Sequence, residues 1–193
     1  MRNNNIIFCI TDFETTGINP SKDYPIEVGC IFTDKFFNVV DTYHSLIKYP
    51  FSKLFTKTDD DEFKWKEEYQ AAYNVHKIEP SEVLDSGLVA YDVLNDINRI
   101  VSKLKQAHDN ARVIILSDNA YFEMAYMKRL YNLANRDNEF PFHYSAWDTN
   151  LSLCLASDVG DPVPVHRAYQ DAFRLYRQIV RYMERNNYFT KEV

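Results

Sequence analysis

Residues 6 to 17 read Ile6-Ile7-Phe8-Cys9-Ile10-Thr11-Asp12-Phe13-Glu14-Thr15-Thr16-Gly17, an apolar run that ends in two carboxylates. Ile6 to Ile10 is short and rich in β-branched residues, the pattern of a buried strand. Asp12 and Glu14 flank Phe13, and side chains at i and i+2 of a strand point to the same face. Two acids therefore sit together where the strand leaves the core. Unpaired, they repel each other, and burial raises their pKa values. A divalent cation resolves that conflict, and hard oxygen ligands suit Mg²⁺ or Mn²⁺. A solvated strand end carries the same pattern. Gly17 allows a tight turn or a close backbone approach. Thr15 and Thr16 are placed either to hold a substrate hydroxyl or phosphate, or simply to make the turn.

Outward from this stretch, Ile26 to Phe32 reads as a second strand and Phe36 to Ile47 as a third, with a turn near residues 33–35. Pro50 to Gln70 is dense in Lys, Asp and Glu, with Phe51, Leu54, Phe55, Phe63 and Trp65 interspersed, and reads as a partly helical surface excursion. Pro80-Ser81-Glu82 starts a short helix, and Ala90 to Gln106 shows the apolar spacing of an amphipathic one. Val113 to Leu116 is a compact buried strand, and Ala120 to Ala134 a helix with Asn119 as its candidate cap. His143 to Trp147 makes a fifth strand, Asp148 caps a short helix through Leu155, and Arg167 to Tyr188 is the longest helix. Three strands followed by alternating helices and strands imply an α/β fold with a mixed five-stranded sheet. The expected organisation is one domain over residues 1–193 with a surface insertion at about 50–72.

Composition narrows the function. Apolar residues make up 46% and charged residues 26%, which excludes disorder for most of the chain. The net charge of −6 excludes binding a phosphate backbone through a bulk positive field, but leaves binding through carboxylate-held metal ions. Cys9, Cys30 and Cys154 are too few for a disulfide framework and form no CxxC pair, so zinc is not expected. There is no uninterrupted apolar stretch long enough to span a membrane, and Asp12 ends the first apolar run too early for a signal peptide. The expectation is a cytoplasmic protein without membrane contact.

Two further clusters carry chemistry. Ser117-Asp118-Asn119-Ala120-Tyr121-Phe122-Glu123 begins where the Val113 strand ends, the edge where ligands collect in open α/β sheets. Asn119 and Glu123 are four apart and share a helix face. His166 and Asp171 are five apart, about 140° around a helix, so His166 belongs in the loop and Asp171 inside the helix. Asp171 lies among Ala168, Ala172, Phe173 and Leu175, where a buried carboxylate needs a partner.

Taken together, these segments resemble the DnaQ-like 3′–5′ exonucleases of the DEDDh type. Asp12 to Gly17 is similar to the family's first motif, Asn119 to Glu123 to its second, and His166 to Asp171 to its third. Val75-His76-Lys77-Ile78 is similar to a softer His-Gly-Ile segment, and Asp148-Thr149 to an Asp-Thr pair that precedes a helix. The resemblance implies a ribonuclease H-like fold with helices on both faces of the sheet. It also implies two divalent cations, Mg²⁺ or Mn²⁺, held by Asp12, Glu14, Glu123 and Asp171, with His166 as general base. Phe13, Thr15, Thr16, Gly17, His76, Ile78, Asn119 and Phe122 would line the substrate site. The implied partner is the 3′ end of single-stranded DNA or RNA, with a polymerase or other replication partner, acting as monomer or homodimer in a bacterial or phage-infected cell.

The chain departs from the pattern at Glu123, where the family has Asp, and at Lys77, where it has Gly. The extra methylene lets Glu123 coordinate directly, through water or bidentately, or favour Mn²⁺, with Asp118 a second candidate nearby. Loss of turnover, leaving a nucleic-acid-binding or polymerase-associated module, is the alternative. The charge of Lys77 would meet substrate phosphate. An interaction scaffold built on residues 50–70 is a weaker third reading.

Overall fold

The structure is a computed structural model that describes residues 5–149, 165–186 and 188. A six-stranded mixed sheet runs in the order β6-β3-β2-β1-β7-β8. Its strands are β1 (Ile6–Thr15), β2 (Pro25–Thr33), β3 (Val39–Lys48), β6 (Leu88–Val89), β7 (Arg112–Ser117) and β8 (Trp147–Asp148). β2 is antiparallel to β1 and to β3, whereas β1–β7, β3–β6 and β7–β8 are parallel. The sheet therefore has six strands where five are expected from the sequence. Both outer strands are only two residues long, and the additional one, β6, is too short for periodicity to reveal.

β1 is longer than its apolar run. β7 pairs with Ile6 to Ile10 and β2 with Phe8 onward, so the ladder with β2 carries the strand through Asp12 and Glu14 while helices cover its two faces. Phe8 and Ile10 pack against Ala172, Leu175 and Ile179 of the C-terminal helix α6 (Ala168–Arg185). Ile7, Cys9 and Phe13 face the core formed with α4 (Ala90–Ala107) and α5 (Ala120–Leu133). The same face that packs Phe8 and Ile10 on α6 continues into Asp12 and Glu14. The register shifts at Glu14/Thr15, where the strand leaves the ladder.

β3 starts later than its apolar pattern implies. Asp34 Oδ1 accepts the amides of Phe36 and Asn38, which holds a turn there, and Phe37 has a φ of 62°. His143 to Ala146 lies outside β8, so the expected fifth strand is reduced to Trp147–Asp148. The capped helix expected from Asp148 through Leu155 lies outside the described residues.

Residues 50–72 fold into α1 (Phe51–Leu54), a hairpin of β4 (Phe55–Lys57) with β5 (Phe63–Trp65), and a short 3-10 turn at Glu67–Tyr69. Leu54, Phe55, Trp65 and Tyr69 join Ile26, Leu46, Ile78 and Val83 in a third apolar cluster. The charged residues thus surround an anchored element. α2 (Gln70–His76) and α3 (Pro80–Ser86) follow, and a capping box between Glu79 and Glu82 starts α3. No helix among the described residues is long and apolar enough to cross a membrane.

Candidate active site

The sheet brings three segments together at the end of β1. Asp12 and Glu14 leave the strand there, α5 brings Glu123, and the start of α6 brings His166 and Asp171. Ring nitrogen and carboxylate oxygens of Glu14, His166 and Asp171 lie within 4.8 Å of one another.

Local hydrogen bonds fix the third segment. The Asp171 carboxylate accepts the backbone amides of Val165 at 3.1 Å, His166 at 2.7 Å and Arg167 at 3.3 Å. It therefore holds the segment entering the helix against the first turn, where a negative charge also suits the helix dipole. His166 takes a left-handed backbone, φ 57°, just before the helix, as the five-residue spacing requires.

The electrostatics are those of crowded acids. Burial, then the charges of Glu14, Asp171 and Asp118, push the Asp12 carboxyl well above its ordinary range, with Arg174 acting against them. Burial, then Glu27 and Asp171, push Glu14 up to about 8. Burial, then Asp12 and Asp118, push Glu123 well up. Glu123 is 3% exposed, and its Oε2 has no hydrogen-bond partner among the described residues. Arg174 is the basic group inside the cluster, 3.3 Å from Asp171 and 3.7 Å from Asp118.

Beside the acids lies a cleft of about 490 Å³, lined by Phe13, Glu14, Thr15, Thr16, Gly17, His76 and Phe122. A Cβ on Gly17 would sit 2.3 Å from the Asp23 carboxylate, so the glycine is there for close approach; its φ is not positive. The Thr15 hydroxyl donates to the Gly17 carbonyl, and the Thr16 hydroxyl accepts the Tyr24 amide. Both threonines thus shape the loop. The Tyr126 hydroxyl donates to the same Gly17 carbonyl from below, a support the sequence did not signal.

Three sequence expectations shift. Ile78 is fully buried in the third apolar cluster, and its amide donates to His76 Nδ1. It orients His76 and does not face the cleft. Asn119 is exposed and makes no side-chain cap; Asp148 Oδ2 accepts the Ala120 amide at 3.1 Å in its place. Lys77 takes a left-handed φ of 55° as the cap of α2, the conformation a glycine adopts most readily, and its ammonium lies over the Tyr73 ring. The glycine of the softer motif is thereby explained as a backbone requirement, and Lys77 is absent from the cleft wall.

Glu27 and Arg167 escaped the sequence reading. Glu27 is completely buried in β2 opposite Glu14, and Arg167 packs against it. A charged residue inside an otherwise apolar strand was the available signal.

A six-stranded mixed sheet with helices on both faces, with this acid cluster at the end of its first strand, is a ribonuclease H-like fold. A family model described as Exonuclease (RNase_T) matches residues 9–179, and the chain belongs to that family. No curated protein matches the chain by sequence. Among solved structures, Escherichia coli exonuclease I bound to a dT13 oligonucleotide superposes with a TM-score of 0.68 at 16% identity, covering 96% of this chain and 42% of that one. The zinc-bound E. coli exonuclease I–ssDNA complex gives 0.63 at 16% identity, covering 95% and 41%. An exonuclease I complex with SSB-Ct gives 0.54 at 19% identity, covering 84% and 32%. The chain thus spans about two fifths of the length of exonuclease I, and the likeness is one of fold.

Proposed function

We propose that the chain is a metal-dependent 3′–5′ exonuclease acting on single-stranded DNA or RNA. The observation that carries this reading is the convergence of Asp12, Glu14, Glu123 and Asp171 from β1, α5 and α6, with an oxygen of Glu123 buried and unpartnered among the described residues. Two guanidiniums do not balance four acids: Arg174 is shared with Asp118, and Arg167, whose charge reaches Glu14, is already paired with Glu27. An all-oxygen donor set with surplus negative charge fits hard divalent cations, Mg²⁺ or Mn²⁺, and the four carboxylates would hold two. When bound, such ions neutralise the phosphate and stabilise the attacking and leaving oxygens.

The chain's own residues do the rest. His166 takes the proton of the attacking water, for which an imidazole beside Glu14 and Asp171 is suited. Asp171 holds the His166 backbone in place through its amide. Phe122, half-buried at the cleft, offers ring surface to the terminal base, with Phe13 packed in the core behind it, and stacking of that kind is sequence-tolerant. Thr15 accepts a sugar hydroxyl. Burial, only partly offset by the charge of Glu27, lowers the His76 pKa to about 4, so its ring stays neutral in the cleft wall and adds no charge there. The neighbours solved with single-stranded DNA support a single-stranded substrate.

The test uses one sequence as single-stranded DNA, single-stranded RNA and duplex, each labelled at either the 5′ or the 3′ end. The expected result is a descending ladder from 5′-labelled single strands and immediate release of labelled mononucleotide from 3′-labelled ones. Internal cuts, or shortening from the 5′ end, contradict the proposal. Tight binding without cleavage by any metal favours the binding-module alternative.

A further inference from the structure

We propose that Glu27, through Arg167, is a positioning residue that seats the start of α6 and so holds His166 and Asp171 against the carboxylates of β1. This rests on the nuclease reading above. The register of β2 places Glu27 opposite Glu14 and Gly29 opposite Asp12, directly beneath the site. Glu27 is fully buried, yet every approach to it is occupied by a donor. Its Oε2 accepts the Ala168 amide at 2.9 Å, the first residue of α6. Its Oε1 accepts Arg167 Nε at 3.1 Å and Nη2 at 3.0 Å, and lies 2.8 Å from His44 Nε2. The other arm of Arg167 reaches Glu82 of α3 at 3.3 Å. Arg167 thus ties the helix start to two separate elements.

Gly29 completes the seat. A Cβ there would lie 2.4 Å from the backbone N and Cα of Tyr169, so the first turn of α6 rests directly on the strand. His166 is the residue immediately before this clamp, in a left-handed conformation that its neighbours must enforce. A forked guanidinium on a carboxylate fixes direction as well as distance. None of these groups lines the cleft; beyond the opposed charges that Glu27 and Arg167 exert on Glu14, their effect on the reaction passes through the placement of His166 and Asp171.

The experiment compares wild type with Glu27→Gln, Arg167→Lys and the core control Ile97→Val, which lies in α4 away from the site. It reads kcat and KM on a single-stranded oligonucleotide, and backbone amide exchange. In Glu27→Gln, kcat falls about 10-fold or more while KM stays within about 2-fold, as expected when groups are displaced by a fraction of an ångström. Exchange at the amides of residues 165–168 speeds up about 10-fold, while residues 113–116 in β7 keep their protection. Arg167→Lys, which keeps the charge but not the fork, is intermediate. Equal kcat in Glu27→Gln and Ile97→Val, or unchanged exchange at residues 165–168, overturns the proposal. A wild-type chain that cuts nothing overturns the nuclease reading; exchange then judges the clamp by itself, and an unchanged pattern overturns that too.

Discussion

Glu123 carries the clearest physical tension in the molecule: a carboxylate 3% exposed, facing Asp12 and Asp118, with one oxygen unpartnered among the described residues. Such a group costs stability until something positive arrives. Replacing it with the isosteric amide removes the repulsion. Glu123→Gln should raise the melting temperature of the metal-free protein by ~2–4 °C, which corresponds to about 1 kcal/mol for a chain of this size. The same variant should lose most of the stabilisation that wild type gains from added Mn²⁺. Differential scanning calorimetry in EDTA and in Mn²⁺ reads both, and a lower melting point in EDTA would contradict the account. His166 belongs to the same scale. His166→Ala should cut kcat by ~10²–10⁴-fold, measured on a 5′-labelled oligonucleotide. The sequence led to the positions of Asp12, Glu14 and Asp171 because each interrupts an apolar pattern, whereas His166 was reached through the family resemblance; the structure brings Glu14, His166 and Asp171 together. Asn119 misled because a polar residue before a helix reads as a cap, whereas the cap comes from Asp148 on a neighbouring strand. Ile78 misled because spacing alone does not distinguish a cleft wall from the packing behind it.

At the scale of elements, β2 and α6 meet without a side chain between them. Gly29→Ala would force a methyl against the Tyr169 backbone and push the helix off the sheet. We expect a loss of ~1–3 kcal/mol, the range of overpacking in a close-packed interior, read as a lower denaturant midpoint. An unchanged midpoint would mean that α6 is not seated on β2. The opposite change is expected at the cap of α2. Lys77 pays for a left-handed backbone that glycine adopts freely, and Lys77→Gly should stabilise by up to about 1 kcal/mol. The long helices and β1, β2 and β7 were legible because their apolar periods are strong. β6 was not, because a two-residue strand carries no period and is defined only by the neighbour it pairs with, and β8 was expected at His143–Trp147 but pairs only at Trp147–Asp148. The segment from residue 50 to 72 was read by its charge. Its order comes from Leu54, Phe55 and Trp65, which meet Ile26 and Ile78 only in the folded chain.

Over the whole molecule, buried acids from three elements meet at one end of β1. This sets a pH signature. Glu14 is raised from 4.5 to about 8, and Asp12 and Glu123 move in the same direction. Between those pH values the folded chain binds more protons than the unfolded one, so metal-free stability falls as pH rises, by up to about 1.4 kcal/mol per pH unit for each group. Glu27 acts oppositely. Burial pushes it up, but the hydrogen bonds from His44, Arg167 and Ala168 outweigh that and lower its pKa, so its contribution is lost only below the ordinary carboxylate range. Urea melts in EDTA from pH 5 to 8 should show a falling midpoint, and divalent cation should flatten the slope by favouring the ionised acids. The most direct test of the central claim is the rate of shortening of a 5′-labelled single-stranded oligonucleotide in Mg²⁺, Mn²⁺ and EDTA, for wild type and Asp12→Asn. The account predicts shortening from the 3′ end in Mg²⁺ or Mn²⁺, none in EDTA, and none with Asp12→Asn in any buffer. Shortening that persists in EDTA, or in Asp12→Asn at the wild-type rate, would contradict it.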